Sequence, residues 1–356
     1  MKSSLSKTLV LVLVMAMALS ACNVGASEPG VETEVPATEM APATEAPATE
    51  APATEAPIIH KTIPTQPEDN IGNASDNDET NSYEDRNVRF GDDFIRNRFE
   101  RPFTTEMGEY LPEIDVVSFS IGEDDNFFYV SMLLGGLNTT GQAPAGHYAI
   151  EVDGNIDGRG EFLIVANPPF GSEWSTDGVQ IFTDLNSDIG GKNPIRRDDA
   201  YAGDGYETLA FDSGKGSDPD LGWARFVNGE TPSLEIAFNK VVFPSTPSFM
   251  WSVWASATPF DPTKFNLHDT TTAEAAGSPD KQNDLYPIKT VSGIDNSCRV
   301  PVGFQATGTE PLGCPVAGVE EPEAPSGDPG APANICDLYP LICNPIAIKI
   351  PIEIVP

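Results

Sequence analysis

The segment Asp153-Gly154-Asn155-Ile156-Asp157-Gly158-Arg159-Gly160-Glu161 puts oxygen-bearing side chains on three alternate residues, with a glycine directly after the third. Hard cations such as Ca²⁺ collect several oxygens, and a glycine at that point lets the chain turn sharply around them. The spacing matches the opening of an EF-hand-type loop. Its twelfth position holds Ile164 where a bidentate Glu belongs, so the half-motif needs Glu161 or a distant carboxylate to complete a shell. A second partial copy is Asp184-Leu185-Asn186-Ser187-Asp188-Ile189-Gly190, with its glycine one position late. The expected ion is Ca²⁺, in a structural role, with Asp153, Asn155, Asp157, Glu161, Asp184, Asn186 and Asp188 as candidate ligands. The metal-free alternative is a pair of Asx-rich turns in which these side chains bond their own backbone.

Other reactive constellations are scarce. The sequence contains no Gly-x-Ser-x-Gly, no His-Glu-x-x-His and no phosphate-cradling glycine motif, and its three histidines, His60, His147 and His268, are widely separated. No catalytic residue is assigned. A carboxylate-pair hydrolase needs only Asp and Glu, which are abundant here. Aromatic residues supply the other candidate site. Trp174, Trp223, Trp254 and Tyr201 fall in or near loops or on a strand face from which a ring could stack on a sugar. Trp251 and Trp254 are three apart in one predicted strand and therefore point to opposite faces.

The elements that must position these residues are strands. Val117, Phe119 and Ile121 alternate with serines, Tyr148, Ile150 and Val152 with Ala149 and Glu151, and Leu234, Ile236 and Phe238 with Glu235 and Ala237. Phe127–Leu134 and Phe162–Ala166 are apolar on both faces, as covered strands are. Further strands are predicted at Val179–Thr183, Thr208–Asp212, Trp223–Val227, Phe249–Ala257 and Tyr286–Val291, and one helical turn at Thr270–Ala276 with Asp269 as its cap. Roughly ten short strands without sustained helical periodicity predict an all-β, antiparallel, jelly-roll-like β-sandwich. Its predicted span is residues 86–316.

Flanking segments have a different composition. Residues 23–85 cannot build a core: Ala-Thr-Glu-Ala-Pro recurs at 43–47, 48–52 and 53–57, and 68–85 is acidic and Asn-rich. Proline at every fifth residue blocks a helix, so a disordered stalk is expected. Residues 317–334 read as a Pro/Gly linker, and 335–356 as a small apolar tail. Lys2, Lys7, the apolar run Leu9 to Leu19 and Leu19-Ser20-Ala21-Cys22 resemble a bacterial lipoprotein signal, which implies cleavage after residue 21 and a lipidated Cys22. That resemblance places the protein, lipid-anchored, in the bacterial cell envelope, outside the cytoplasm. Cys298, Cys314, Cys336 and Cys343 then form an even set in an oxidising compartment. Three pairings are open, and the sequential one, Cys298 with Cys314 and Cys336 with Cys343, closes the shortest loops.

The chain carries 54 Asp and Glu against 20 Lys and Arg, for a formal charge of −34. Such a surface repels phosphates, which argues against nucleic acid and favours divalent cations and basic proteins. Around Tyr148–Gly158 and the strands ending at Asp184-Leu185-Asn186, the sequence is similar to the sandwich of secreted carbohydrate-binding modules of the family 9 type and of DOMON-like domains. That resemblance covers about residues 110–295 and implies sugar or haem binding only as a class. The expectation is a non-enzymatic, membrane-anchored lipoprotein displaying a calcium-stabilised β-sandwich that binds a polysaccharide or a basic envelope protein. An exported carboxylate-dependent hydrolase and a purely structural envelope or adhesion protein are the competing classes.

Overall fold

A computed structural model describes residues 58–85, 91–137, 143–190, 203–243, 248–267, 271–277 and 290–319. Cys22, the pentapeptide repeats, Tyr201, His268, Asp269, Cys336, Cys343, the predicted tail and all but the first three residues of the predicted linker lie outside them. So does most of the predicted strand 286–291.

Among the described residues there are thirteen strands: β1 Asp69–Ser75, β2 Phe99–Arg101, β3 Val116–Glu123, β4 Phe127–Leu134, β5 His147–Asp153, β6 Phe162–Ala166, β7 Val179–Thr183, β8 Thr208–Asp212, β9 Gly222–Val227, β10 Ser233–Asn239, β11 Phe249–Ser256, β12 Ile294–Asn296 and β13 Val300–Val302. They form two antiparallel sheets, ordered β1-β3-β4-β10-β9 and β2-β12-β11-β5-β6-β7-β8, with β13 pairing β11. The all-β sandwich expected from the alternation is present. Phe119, Ile121, Val130, Met132, Leu234 and Ile236 from the first sheet meet Tyr148, Ile150, Val152, Ile164, Ile181 and Trp251 from the second in one buried core.

The second sheet is also covered on its outer face, where Phe94, Phe99, Ala149, Leu163, Trp254, Phe265 and Ile294 form a further cluster. Every residue of β11 is therefore buried, and Glu151, polar by alternation, is buried too. Trp251 and Trp254 do point to opposite faces, as the period-2 geometry requires, but each face carries its own core. The short helix α2, Ala273–Ala276, falls inside the predicted turn and belongs to that cover. The Thr272 hydroxyl oxygen accepts the Ala275 amide at 3.1 Å. The covering loops 291–314 are tied by the disulfide Cys298–Cys314, one of the two predicted.

The predicted disorder of residues 68–85 and the domain start at 86 need correction. Asp69–Ser75 pairs antiparallel with β3 along its length, and Thr80–Asp85 forms a short helix, α1. Upstream, residues 60–65 lie on the outer face of the first sheet. His60 Nδ1 bonds Asp220 at 2.8 Å and the amides of Lys61 and Thr62 donate to the same carboxylate. Low hydrophobicity misled because backbone pairing and a buried acceptor hold this arm, with only Ile71 and Ala74 of β1 packing on the core.

Candidate functional site

Both Asp/Asn loops lie at one end of the second sheet, the first joining β5 to β6 and the second following β7, the other neighbour of β6. They share one local structure. In the first, Asp153 Oδ1 accepts the Ile156 amide at 2.6 Å and Oδ2 the Gly158 amide at 2.9 Å. In the second, Asp184 Oδ1 accepts the Ser187 amide at 2.7 Å and Oδ2 the Ile189 amide at 2.9 Å. Each loop thus closes around the carboxylate of its first residue, and the fourth residue is left-handed in both, Ile156 at φ 62° and Ser187 at φ 57°. The late glycine of the second copy also finds its reason. The first loop turns left-handed again at its sixth position, Gly158 at φ 94°, and the second only at its seventh, Gly190 at φ 70°.

The loops touch: Arg159 Nη1 donates to the Ser187 carbonyl at 2.9 Å. Asn186 Nδ2 reaches Asp204 at 3.0 Å and Glu207 accepts the Leu185 amide at 3.0 Å. The result is one acidic end of the sheet with an exposed Leu185 in its middle.

Within the first loop, Asp153, Asp157 and Glu161 each bring one oxygen to within 4.8 Å of the others, a span compatible with oxygens around one Ca²⁺. Asn155 is not turned into that group. Its Oδ1 accepts the Asp157 amide at 2.9 Å and its Nδ2 donates to Glu161 at 2.6 Å. In the second loop, Asp188 accepts the amides of Asp204 and Gly205 at 3.2 and 3.0 Å, and among the described residues Asp184 and Asp188 do not converge with a third carboxylate.

The electrostatics centre on Arg299, a residue with no motif around it in the sequence. Its Nη1 lies 2.6 Å from Asp153 Oδ2 and its Nη2 3.1 Å from Glu151 Oε2, all three side chains being buried. Tyr206, also buried, donates to Glu151 at 2.8 Å. Burial pushes the Asp153 carboxyl above its ordinary range, against the pull of Arg299. Glu161 is pushed up to about 7, first by burial and then by the charges of Asp153 and Asp157 that outlast the Gly154 amide's opposing bond. Asp184 is raised by burial as well.

Two residues of the predicted aromatic platform are buried, and Trp174 is half-buried. Trp254 is 1% and Trp223 3% exposed. Trp254 packs against Phe99 and Phe265. Trp223 lies 4.5 Å ring to ring from His60 of the arm, and half-buried Trp174 donates to the Thr65 carbonyl and carries the Arg225 guanidinium 4.3 Å above its ring. These Trp faces are therefore taken by the chain itself. His147 is bonded to Asn167 at 2.7 Å. Comparison of the chain with protein-family models, with curated proteins and with solved structures found no match.

Proposed function

We propose that this chain is a lipid-anchored protein of the bacterial cell surface whose β-sandwich serves as a calcium-stabilised interaction module rather than an enzyme. The observation that carries this reading is the side-by-side placement of two Asp-centred loops at one end of the second sheet, bridged by Arg159 to Ser187. Three of the sequence-derived ligand candidates, Asp153, Asp157 and Glu161, already lie close enough to share one ion. Two of them have carboxyls raised by burial, which a divalent cation would bring down again. With Trp174 and Trp223 covered by the arm, the module engages a glycan through cation-held hydroxyls at the acidic loops rather than by ring stacking. The net charge of −34 favours a basic envelope protein as the second class of ligand.

The test is a glycan array probed with the full chain in millimolar Ca²⁺ and again in chelator. Calcium-dependent binding that Asp157→Asn and Asp184→Asn abolish supports the reading. A flat array in both conditions leaves the structural alternative, and turnover of a glycoside or ester that depends on one carboxylate moves the protein to the hydrolases. In cells, Cys22→Ser should lose labelling by a fatty-acid analogue; unchanged labelling would refute the anchor.

A further inference from the structure

Five acidic residues from four separate stretches of sequence meet where the N-terminal arm crosses the edge of the second sheet. Asp76 directly follows β1, Glu79 precedes α1, Glu100 lies in β2, Asp115 precedes β3 and Asp295 lies in β12. One oxygen from each of Asp76, Glu100 and Asp295 lies within 4.8 Å of the other two. Asp115 and Asp295 are 0% exposed and Glu100 2%.

The bonding follows one pattern. Asp76 Oδ1 accepts the Asn77 amide at 3.1 Å, and Glu100 Oε1 accepts Asn77 Nδ2 at 3.1 Å. Asp115 Oδ2 accepts the Glu79 amide at 3.0 Å and the Tyr110 hydroxyl at 2.5 Å, and Asp295 Oδ2 accepts the Val116 amide at 2.6 Å. Each carboxylate is thereby oriented by a protein donor through one oxygen. The other oxygen of each, Asp76 Oδ2, Glu100 Oε2, Asp115 Oδ1 and Asp295 Oδ1, is buried and has no donor among the described residues. Buried acceptors left in that state are rare, because nothing replaces their lost hydration. The guanidinium next in the chain does not supply the missing donors. Arg101, next to Glu100 in the chain, is committed to Asp92 and to the carbonyls of Ala276, Gly277 and Val291, while Arg98 acts on Asp76 by its charge.

We infer that Asp76, Glu100 and Asp295 bind a Ca²⁺ ion that clips the N-terminal arm to the sandwich. Three carboxylates, each fixed through one oxygen and offering the other, make a hard, anionic, oxygen-only donor set, and Asp115 adds a fourth negative charge beside it. Mg²⁺ keeps several of its waters and demands a small octahedron, so a buried site of this kind selects the larger ion. Burial raises Asp76 and Asp115 to about 7, and lifts Glu100 and Asp295 well above their ordinary range, with the neighbouring carboxylates adding to it. A bound cation reverses that penalty. The site does not depend on the loop at Asp153, from which it shares no residue.

The test uses the full chain, stripped with chelator, desalted, and titrated with CaCl₂ by calorimetry while hydrogen exchange follows β1. We expect a calcium equivalent that persists in Asp157→Asn, weakens by at least about tenfold in Asp76→Asn and is lost in Glu100→Gln. Ca²⁺ should slow exchange at Asp69–Ser75 in the parent and not in Asp76→Asn, and an equal concentration of Mg²⁺ should not substitute. Asp76 is only half-buried, so its variant decides the matter even where Glu100→Gln fails to fold. Parent-like affinity and stoichiometry in Asp76→Asn would overturn the inference. So would a parent whose only calcium is the one Asp157→Asn removes, or one that takes up protons near pH 7 but no calcium.

Discussion

Replacing Arg299 by Met in the chelator-treated protein leaves Asp153 and Glu151 facing each other in a buried position with no counter-charge. The guanidinium nitrogens lie 2.6 and 3.1 Å from the two carboxylates, so charge centres about 4 Å apart attract by about 4 kcal/mol each at an effective dielectric constant of about 20. Desolvation of the guanidinium offsets part of this, and loss of one partner from a buried ionic network costs about 3–5 kcal/mol. The cost should depend on pH, with a defined sign. Asp153 is already raised above its ordinary range by burial, with Arg299 pulling the other way. A raised carboxyl binds its proton more tightly folded than unfolded, so its stabilising contribution is complete below the unfolded pKa and is lost as pH rises through the folded one. Without Arg299 that loss grows. Urea unfolding at pH 4, 6 and 8 should therefore show parent and Arg299→Met closest at pH 4 and furthest apart at pH 8, with the m-value unchanged. Arg299→Lys, which keeps the charge but not the fork, should fall between them. A gap below about 1 kcal/mol at pH 8, or one independent of pH, would refute the reasoning.

Two smaller perturbations test the surroundings of that network and the attachment of the arm. A Cβ on Gly160 would stand 1.9 Å from the Tyr206 hydroxyl and 2.8 Å from Glu151 Cγ, so Gly160→Ala should cost about 1–3 kcal/mol in thermal unfolding, and adding Tyr206→Phe should recover part of the loss. Asp220 is held below its ordinary range because the amides of Thr62 and Lys61 and the charge of His60 outweigh its burial. A depressed carboxyl stabilises above the unfolded pKa and stops doing so as pH falls through the folded one, so the arm should loosen below about pH 4. Asp220→Asn should loosen it at neutral pH, read as trypsin cleavage after Lys61 that is faster by on the order of tenfold.

The central strands were legible because each is rich in large apolar residues, alternating in β3, β5 and β10 and more continuous in β4 and β11, and all five begin and end within two residues of the predicted bounds. The four strands that the alternation did not reveal, β1, β2, β12 and β13, are short or polar, as in Asp69-Asn70-Ile71-Gly72-Asn73-Ala74-Ser75. β1 is held by β3, while β12 and β13 are held by β11, and β2 reaches the sheet only through β12. The loop at Asp153 was visible because its chemistry is contiguous. Arg299 and the Asp76, Glu100, Asp115 and Asp295 group were not: Arg299 stands 146 positions from Asp153, and the four acidic residues come from separate segments that no single spacing rule joins. The aromatic reading failed for a related reason: Trp223 and Trp254 alternate correctly, but the outer face of each sheet is covered by segments whose own sequences are too polar or too irregular to announce a cover.

The acidic composition has a role beyond surface repulsion. A strand of three residues such as β2 or β12 buries too little apolar area to hold itself in place, and the arm before β3 lays only a few apolar side chains, Ile71 and Ala74 among them, on the core. At each such junction a buried carboxylate takes backbone amides from a segment distant in sequence: Asp220 for residues 61 and 62, Asp115 for Glu79, and Asp295 for Val116. A carboxylate suits this work because it accepts several charge-assisted bonds at once, each stronger than a neutral one. The same choice concentrates negative charge where water is excluded, and that charge needs Arg299 on one side of the second sheet and a cation at its edge. Chelation should therefore free the arm, β1 included, before it unfolds the sandwich, since the apolar core between the sheets contains none of these carboxylates.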